Sequence, residues 1–557
     1  MRKVFRGFKQ DFLHRPKPES DTRTESSSAT PPTPFATTPP ARDDWIQYRK
    51  HRGVNLGTSF LSDFVYPSFN PLIPGSWFVL ERWITDTPFR QAAQPASSDL
   101  DIAKGSNAKA ILEKHWDTWV TTKEWNWLAS VGINSVRIPI GYYHLCGADR
   151  SILDGTDFYP YYDIYQGAWK RITEAIIAAN KRGMTVLIDL HAAPGKQNAD
   201  SHSGTSNPAN FFNDPHNLRR GLYAISSLTR LLSTFCASQD PPLNNIIGIE
   251  LLNEPAPPDD DILRKWYIDA VAEVRKAWVG SRAPAIYLGE CWRTESYTEW
   301  ATAEYGRLAP NSTFGGLVVL DHHLYRCFTP ADTQTSVQDH TRALLDESSG
   351  IQKTFQQTSE SLGRAGGGIV VAEWSCGLAP TSLRTHQPQE RRDFVDAQLA
   401  VYEKWCGGWW WWMLKKEESV YGKDVGWGFK DAVEGGVFPS SVGLRRRRGV
   451  DRSQRERERR SRVLETERKK AFDQHCEYWS KIPGSYNHAL FEGGYTDGFN
   501  DNYAFFEGVS LDSEGVGSMG FLVHALTART EEQRQNSNGQ NIFFSSSAKI
   551  RLMIWVF

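Results

Sequence analysis

The feature that most constrains the fold of this chain is a series of eight short apolar segments, separated by helix-like segments. The eight begin near Gly53, Ser135, Thr185, Ile247, Ala285, Leu317, Ile369 and Trp409. Short β-branched runs bounded by turn residues are typical of buried parallel strands, and helices between them favour β/α units. Eight such units favour a closed barrel over an open sheet. The sequence therefore predicts an α/β fold, a (β/α)8 TIM barrel.

Two of the intervening segments have a clear helical pattern. Ala108–Ser130 places tryptophans and a leucine among charged residues and ends before Gly132. Residues 166–182 carry apolar side chains on one face, and Gly183 stops them. The apolar period predicts one helix over each segment.

Both ends of the chain depart from the barrel pattern. Residues 1–45 are rich in Pro, Ser and Thr, and this composition predicts a disordered tail. The barrel is expected over residues 46–440, with an insertion at 58–74. Residues 441–470 are dense in Arg and Glu and predict a charged linker or helix. A C-terminal extension is expected over residues 471–557.

Two glutamates stand at predicted strand ends. Glu254 closes the apolar run Ile247–Pro255, and Glu373 is carried by Ile369–Trp374. A single glutamate in such a place is more often a solvated or salt-bridged residue. Two of them on different strands are what a retaining glycosidase needs, because one carboxyl protonates the leaving oxygen while the other attacks the anomeric carbon.

Further motifs accompany these glutamates over residues 51–430. In chain order the motifs are Arg52–Gly57, Trp77–Glu81, Val136–Gly141, Leu190–Gly195, Ile247–Pro255, Asp321–Tyr325, Ala372–Trp374 and Trp409–Lys415. With them the chain resembles glycoside hydrolase family 5, and most closely its fungal exo-β-1,3-glucanase branch. The resemblance implies a retaining β-glucosidase that releases glucose from a β-glucan, an oligosaccharide or another glucoside, without a metal or other cofactor.

The resemblance also assigns roles to residues. It makes Glu254 the acid/base and Glu373 the nucleophile. It implies substrate contacts for Glu81, Arg137, His191, Asn253, His323, Tyr325, Phe328 and Trp412. In that set, Asn253 is expected at the sugar 2-hydroxyl and Trp412 under the sugar ring, with Trp410 as the alternative in the Trp409–Trp412 run.

The charges of the two glutamates can be predicted from the same residues. A buried Arg137 needs a carboxylate partner, which Glu254 or Glu373 would supply. If Arg137 keeps Glu373 ionised, that negative charge and partial burial raise the pKa of Glu254, which can then hold a proton near neutral pH.

Two departures from the family pattern bear on specificity. Phe328 matches one of two phenylalanines that pinch the next sugar in the family, whereas Asp200 occupies the position of the other. Residues 58–74 separate Gly57 from the Trp77–Glu81 motif. This insertion is interpreted either as a loop at the barrel mouth or as a translated intron.

Composition narrows the class of partner and the compartment. A formal net charge of −1 offers no electrostatic argument for a nucleic-acid partner. No apolar run approaches the length of a membrane span, and the basic N-terminus lacks the apolar core of a secretory signal. The seven cysteines form an odd, scattered set without metal-ligand spacing, which favours reduced thiols and a cytoplasmic location.

Two alternatives fit the same residues. A β-glucosidase that acts on glycolipids, such as steryl glucosides or glucosylceramide, would suit a cytoplasmic setting. A catalytically inactive carbohydrate-binding protein would result if the insertion at 58–74 disrupts the site. Hydrolysis of an aryl β-glucoside separates the enzymes from the inactive protein, and a panel of laminari-oligosaccharides and glucolipids separates the two enzymes.

Overall fold

A computed structural model of the chain describes most of residues 47–500. Outside the described residues lie 1–46, 48, 58–76, 81, 83–85, 281–282, 310–316, 386–387, 440–453, 482–487, 489–490, 494, 497–498 and 501–557. The predicted tail, the predicted insertion at 58–74 and the predicted sugar ligand Glu81 therefore lie outside the described residues.

Parallel strands close into a barrel in sequence order, with the last strand paired to the first. The strands are β1 (His51–Asn55), β2 (Ser135–Gly141), β3 (Thr185–Ala192), β4 (Ile246–Glu250), β5 (Ala285–Gly289), β6 (Val318–Arg326), β7 (Gly368–Leu378) and β8 (Gly408–Trp411). They are almost wholly buried, because helices cover the outer face and side chains fill the interior. The predicted (β/α)8 barrel is confirmed.

Helices connect the strands of the barrel, and further helices follow the last strand. Within the described residues they are α1 (Thr87–Gln91), α2 (Asp99–Ala103), α3 (Ala108–Trp119), α4 (Thr122–Ser130), α5 (Tyr162–Tyr165), α6 (Ala168–Asn180), α7 (Pro215–Ala237), α8 (Asp260–Ala277), α9 (Thr294–Ala303), α10 (Tyr305–Leu308), α11 (Pro330–Gln334), α12 (Val337–Leu345), α13 (Gly350–Ala365), α14 (Pro388–Trp405), α15 (Glu418–Tyr421), α16 (Phe429–Glu434) and α17 (Gln454–Trp479). Short 3-10 helices occupy Tyr142–Leu145, Arg150–Leu153, Tyr159–Tyr161, Ser201–Ser203 and Pro380–Ser382. None of the helices in this part of the chain combines the length and the hydrophobicity needed to cross a bilayer.

The segment Ala108–Ser130 forms two helices, so the prediction of one helix there is wrong. Val120 has an extended backbone and ends α3, and Thr121 then begins α4 as its N-cap. Thr121 and Glu124 form a capping box in which the Glu124 carboxylate accepts from the Thr121 amide at 2.9 Å. The apolar period continues across the break, which is why hydrophobicity alone did not reveal it.

The strands that carry the predicted site end elsewhere than the sequence predicts. The sequence predicts strand six over Leu317–Leu320, whereas β6 continues to Arg326 because it pairs with β7 along that length. His323 and Tyr325 therefore lie within the strand rather than after it. Glu254, by contrast, lies beyond the end of β4 in the following turn.

The C-terminal part of the described chain has a small apolar cluster of its own. The helix α17 continues through the predicted boundary between residues 470 and 471. The cluster, which is separate from the barrel core, consists of Phe491, Tyr495 and Phe499 with Val463, Leu464, Ala471 and Phe472.

Candidate active site

The two predicted catalytic glutamates lie side by side at the carboxyl end of the barrel. One oxygen of Glu254 and one of Glu373 lie within 4.8 Å of each other. The ring of His323 contacts both, with Nδ1 at 2.7 Å from Glu254 Oε1 and 3.5 Å from Glu373 Oε2. The pairing of β6 with β7 puts His323 opposite Glu373, so closure of the barrel brings these three side chains together.

Glu373 is buried and is oriented by two donors. Arg137 Nη1 donates to Oε1 at 2.8 Å, and the Tyr325 hydroxyl donates to Oε2 at 2.9 Å. Of the two partners that the sequence offered for Arg137, the arginine pairs with Glu373 rather than with Glu254.

Arg137 is the hub of a buried polar network below these groups. Its guanidinium donates hydrogen bonds to Asn55, Glu250, Asn253 and Glu373. Its Nη2 also forms an ion pair with Asp189 Oδ2 at 3.0 Å, so the guanidinium has five partners. Three of the five are carboxyl groups, so a single positive charge is divided among three buried acids.

Asp189 and Glu250 were missed by the sequence analysis. Each is an acidic residue inside an apolar strand, on β3 and β4, and that pattern is the signal that could have identified them. Burial raises the pKa of Asp189 to about 7 and the pKa of Glu250 well above its usual range, since Arg137 offsets burial only in part. Burial therefore favours the protonated form of Glu250.

The pKa order expected for the two glutamates is wrong. Burial disfavours the carboxylate of Glu254, but the hydrogen bond and charge of His323 outweigh it and lower the pKa of Glu254 to about 2. Burial raises the pKa of Glu373 to about 8, because the charges of His323 and Arg137 offset burial only in part.

His323 accounts for this reversal. Burial disfavours its imidazolium form, but the neighbouring carboxylates, Glu373 first, raise the pKa of His323 well above its usual value. Near neutral pH the protons of the trio therefore sit on His323 and Glu373. Three titratable groups this close titrate as one system, so their pKa values belong to the trio.

Glu254 occupies a turn with unusual backbone geometry. Its φ of +40° lies in the left-handed region, which residues other than glycine rarely adopt. Asn198 Nδ2 donates to the Glu254 carbonyl at 2.9 Å, and Gln197 Nε2 donates to the Asn253 carbonyl at 3.1 Å. The loop after β3 thus holds the turn after β4. Sequence analysis assigned no role to Gln197 and Asn198.

Two of the predicted sugar ligands, Asn253 and His191, each use one polar side-chain atom in a contact within the protein and have a side-chain nitrogen available for a ligand. Asn253 Oδ1 accepts from Arg137, and His191 Nδ1 lies 2.6 Å from Asp189 Oδ2. Burial lowers the pKa of His191 well below its usual value, so its ring is neutral. Asn253 Nδ2 and His191 Nε2 are buried without a hydrogen-bond partner in the described part of the chain. Sugar hydroxyls could satisfy both atoms.

The predicted aromatic sugar contacts, Phe328 and Trp412, have different surroundings in the structure. Phe328 packs edge-on against Tyr325, with ring centroids 5.3 Å apart. Trp412 is fully buried and parallel to His191 at 5.9 Å, so it is covered rather than open as a platform. The alternative, Trp410, stacks on a histidine at the start of β1, toward the other end of the barrel.

Asp200 lies beside Glu254. One oxygen of Asp200, a ring nitrogen of His202 and one oxygen of Glu254 lie within 4.8 Å of one another. His202 Nε2 is 3.7 Å from Glu254 Oε2. Asp200, which the sequence resemblance matched to a family phenylalanine, therefore borders the predicted acid/base.

Three side-chain trios in this region have oxygen and nitrogen atoms spaced closely enough to ligate a metal ion. They are Asp200–His202–Glu254, Glu250–Asp321–His323 and Glu254–His323–Glu373. The charges of Arg137 and His323 already lie among the carboxylates of the last two trios and would repel a cation there.

A cavity of about 550 Å³ opens beside Glu254, between the segments that follow β5 and β6. Ligand sites span roughly 300–1,000 Å³, so this volume suits a small molecule. Trp292 lines the cavity and is 58% exposed, with its indole N–H donating to the His323 carbonyl at 3.0 Å. His322 lines it as well. Sequence analysis missed both, although their places directly after β5 and within a matched motif could have indicated them.

Two family models match parts of this chain. Residues 101–417 match the family model of Cellulase (glycosyl hydrolase family 5). Residues 460–549 match the Glucan 1,3-beta-glucosidase 3 C-terminal domain.

Relatives of this chain extend the match in sequence and in structure. Glucan 1,3-beta-glucosidase 3 of Schizosaccharomyces pombe is 29% identical over 482 residues, which cover 84% of this chain and 88% of the relative. Probable glucan 1,3-beta-glucosidase A of Aspergillus fumigatus is 28% identical over 413 residues, or 66% of this chain and 86% of the relative. The crystal structure of rutinosidase from Aspergillus niger superposes with a TM-score of 0.51 and 19% identity, covering 71% of this chain and 99% of that one, and it shares the fold. Because the Cellulase family model spans more than half of the sequence, this chain belongs to glycosyl hydrolase family 5 and is a retaining glycoside hydrolase.

Proposed function

We propose that this protein is an exo-acting β-glucosidase that releases glucose, with retention, from β-1,3-glucan and its oligosaccharides. The observation that carries the proposal is the approach of Glu254 and Glu373 to within 4.8 Å. Retaining enzymes have carboxyl groups about 5–5.5 Å apart, whereas inverting enzymes need about 6.5–9.5 Å to admit a water molecule between the carboxyl and the sugar. Two relatives of this chain are named as glucan 1,3-beta-glucosidases, which supports β-1,3-glucan as the substrate.

In the first step, Glu373 attacks the anomeric carbon and forms a glucosyl ester. The glycosidic C–O bond breaks, and the leaving oxygen takes a proton from Glu254. Arg137 and Tyr325 hold the Glu373 carboxylate in place for the attack, since each donates to one of its oxygens.

The number of protons held by the Glu254–His323–Glu373 trio is sufficient for this step. Near neutral pH the trio holds its protons on His323 and Glu373. The reactive arrangement has the same number of protons, with one on Glu254 and Glu373 ionised. Positive charge that develops on the sugar favours an ionised Glu373, and a glycosidic oxygen beside Glu254 favours a proton there. Substrate binding therefore needs only to redistribute protons within the trio.

In the second step, water breaks the ester. Glu254, now ionised, accepts a proton from the water while the water oxygen attacks the anomeric carbon. Glu373 then departs as a carboxylate. Asn253 Nδ2 and His191 Nε2 are proposed to bind hydroxyls of the cleaved glucose, because each is a buried nitrogen whose neighbouring polar atom is already engaged.

We also propose a cytoplasmic location for the enzyme. All seven cysteines are free in the structure, and five of them are buried. Secreted enzymes commonly pair such thiols in disulfides, whereas cytoplasmic ones keep them reduced.

The proposal is tested with the purified full-length chain. NMR should show β-glucose as the first product from laminaritriose, and laminari-oligosaccharides should be hydrolysed with a higher kcat/KM than steryl glucosides or glucosylceramide. The Glu254→Ala variant with azide and an activated aryl glucoside should yield a β-glucosyl azide. A preference for glucolipids would instead favour the glycolipid β-glucosidase, and an α-configured azide product would refute the assigned roles.

A further inference from the structure

The cavity beside Glu254 has walls of mixed character. Leu324, Phe328, Ile351 and Phe355 supply apolar surface, and Glu254 is one of the polar residues that line it. Phe355 belongs to α13 and the cavity also reaches Thr294 of α9, so it extends from the barrel mouth toward the surrounding helices. Because Glu254 is the proposed proton donor to the leaving oxygen, a cavity that contains it lies on the leaving-group side.

One polar group in this cavity is rigidly held. His322 Nδ1 is hydrogen-bonded to Glu290 Oε1 and lies 3.4 Å from the Thr294 hydroxyl. Its ring packs edge-on against Phe355, with centroids 5.4 Å apart and an interplanar angle of 90°. Glu290 is 1% exposed and directly follows β5. These contacts fix the ring and engage Nδ1, which leaves Nε2 as the nitrogen that can reach a bound molecule.

The strand geometry separates His322 from its neighbour. Successive residues of a strand face opposite sides. His323 contacts Glu254 and Glu373 inside the barrel, whereas His322 contacts Glu290, which lies beyond β5. The two adjacent histidines therefore lie in different surroundings: His323 contacts the predicted catalytic glutamates, and His322 lines the cavity beside them.

We propose that the leaving group of the substrate lies in this cavity and that His322, oriented by Glu290, hydrogen-bonds to one of its hydroxyl groups. The proposal rests on the proposed function and adds a specificity-determining residue to it. The ligand class that fits is a pyranose or another polyhydroxylated leaving group, because such a molecule has apolar ring faces for the phenylalanines and hydroxyls for Nε2.

The first test replaces the ring nitrogens and keeps the ring. His322→Phe retains the edge contact with Phe355 but cannot bind a hydroxyl. Loss of one hydrogen bond corresponds to about a tenfold fall in kcat/KM for laminaritriose. Hydrolysis of 4-nitrophenyl β-glucoside, whose leaving group has no sugar hydroxyl, should change less than about twofold. His216→Phe serves as the matched control, because His216 is exposed on α7 and does not line the cavity.

A conservative variant and a second readout keep the test decisive. His322→Gln places an amide nitrogen near the position of Nε2 and should recover most of the laminaritriose activity. With laminaribiose added as an acceptor, His322→Phe should lower the ratio of glucosyl transfer to hydrolysis, which a purely structural defect would not change. Glu290→Ala should reproduce the selective loss, and the double variant should lose little more than either single variant.

The outcomes separate this inference from the proposed function. An equal loss on both substrates, or an unchanged transfer ratio in His322→Phe, would overturn the role of His322 while leaving the glucosidase intact. A wild-type enzyme that cleaves no β-glucoside would instead overturn the proposed function itself.

Discussion

Arg137 on β2 donates a 2.8 Å hydrogen bond across the barrel to Glu373 on β7. Both side chains are buried, and they are 236 residues apart in the sequence. The arginine also contacts Glu250 and Asp189, so its hold on Glu373 is shared. This relationship orients the proposed nucleophile, yet it leaves the pKa of Glu373 high, at about 8.

Replacement of the proposed nucleophile should abolish turnover without unfolding the protein. Glu373→Gln keeps the size of the side chain and can still accept from Arg137, but an amide does not form the glucosyl ester. We expect less than a few per cent of wild-type kcat on aryl glucosides and a melting temperature close to wild type. Wild-type-like kcat in a folded variant would contradict the assignment.

The pH dependence of kcat/KM should follow the proton count of the trio. A folded-state pKa of about 8 for Glu373 means that one proton leaves the trio as pH rises through that value. Fewer protons remain for Glu254 to donate, so kcat/KM for laminaribiose should fall about tenfold per pH unit above roughly pH 8.

A substrate that needs no protonation provides the control for this profile. The leaving group of 2,4-dinitrophenyl β-glucoside departs as an anion, and ionisation of Glu373 does not slow its release. Its kcat/KM should stay level across the same range. If kcat/KM fell at high pH for both substrates, the fall would not result from loss of the proton that Glu254 donates.

Glu250 should behave as a neutral acid. Burial raises its pKa well above the usual range, and its Oε2 accepts from Arg137 Nε at 2.7 Å. Glu250→Gln preserves that acceptor. The variant should keep the unfolding free energy of the wild type, and its kcat/KM should change less than about twofold. Glu250→Ala leaves the Arg137 Nε–H buried without a partner and opens a cavity, which should cost about 2–4 kcal/mol of unfolding free energy.

Calorimetry and infrared difference spectra can check the Glu250 prediction. The wild type should show the carbonyl stretch of a protonated carboxylic acid, and the band should disappear in Glu250→Gln. A Gln variant with strongly reduced activity and no lost band would indicate that Glu250 is ionised.

Asp200→Phe should strengthen binding of the second sugar. Asp200 borders Glu254, and an aromatic ring there could face Phe328 across the sugar, with stacking worth about 0.5–1.5 kcal/mol. We expect kcat/KM for laminaribiose to rise by up to about tenfold, while hydrolysis of an aryl glucoside changes little. Asp200→Asn is the control for loss of charge alone. An unchanged ratio between the substrates in Asp200→Phe would place residue 200 away from the second sugar.

Deletion of residues 58–74 should preserve the barrel. The Trp77 amide donates to the Leu56 carbonyl at 3.4 Å, so the two ends that flank this insertion meet. A shorter connection costs less closure entropy, which could stabilise the fold by up to roughly 1–2 kcal/mol. Thermal unfolding of the deleted chain should show an equal or higher melting temperature. A loss of several kcal/mol would show that the segment packs against the fold.

Much of the fold and the two glutamates could be predicted from local patterns. Each strand is a short apolar run, and the Ile247–Pro255 run delivers Glu254 to the end of such a strand as Ile369–Trp374 delivers Glu373. In a parallel barrel all strands end at the same rim, so two strand-end carboxylates predict one site. The spacing of apolar residues along the sequence predicts where the strands end, and this prediction does not depend on long-range contacts.

The tertiary structure decided which charges those carboxylates carry and what surrounds them. Arg137 meets three acids, and His323 lies between Glu254 and Glu373, because barrel closure and the register of β6 against β7 set those distances. Burial and distance determine a pKa, and neither is encoded in the pattern of a single strand. The same reason applies to His322 and Glu290, which only the packing of β5 against β6 brings together.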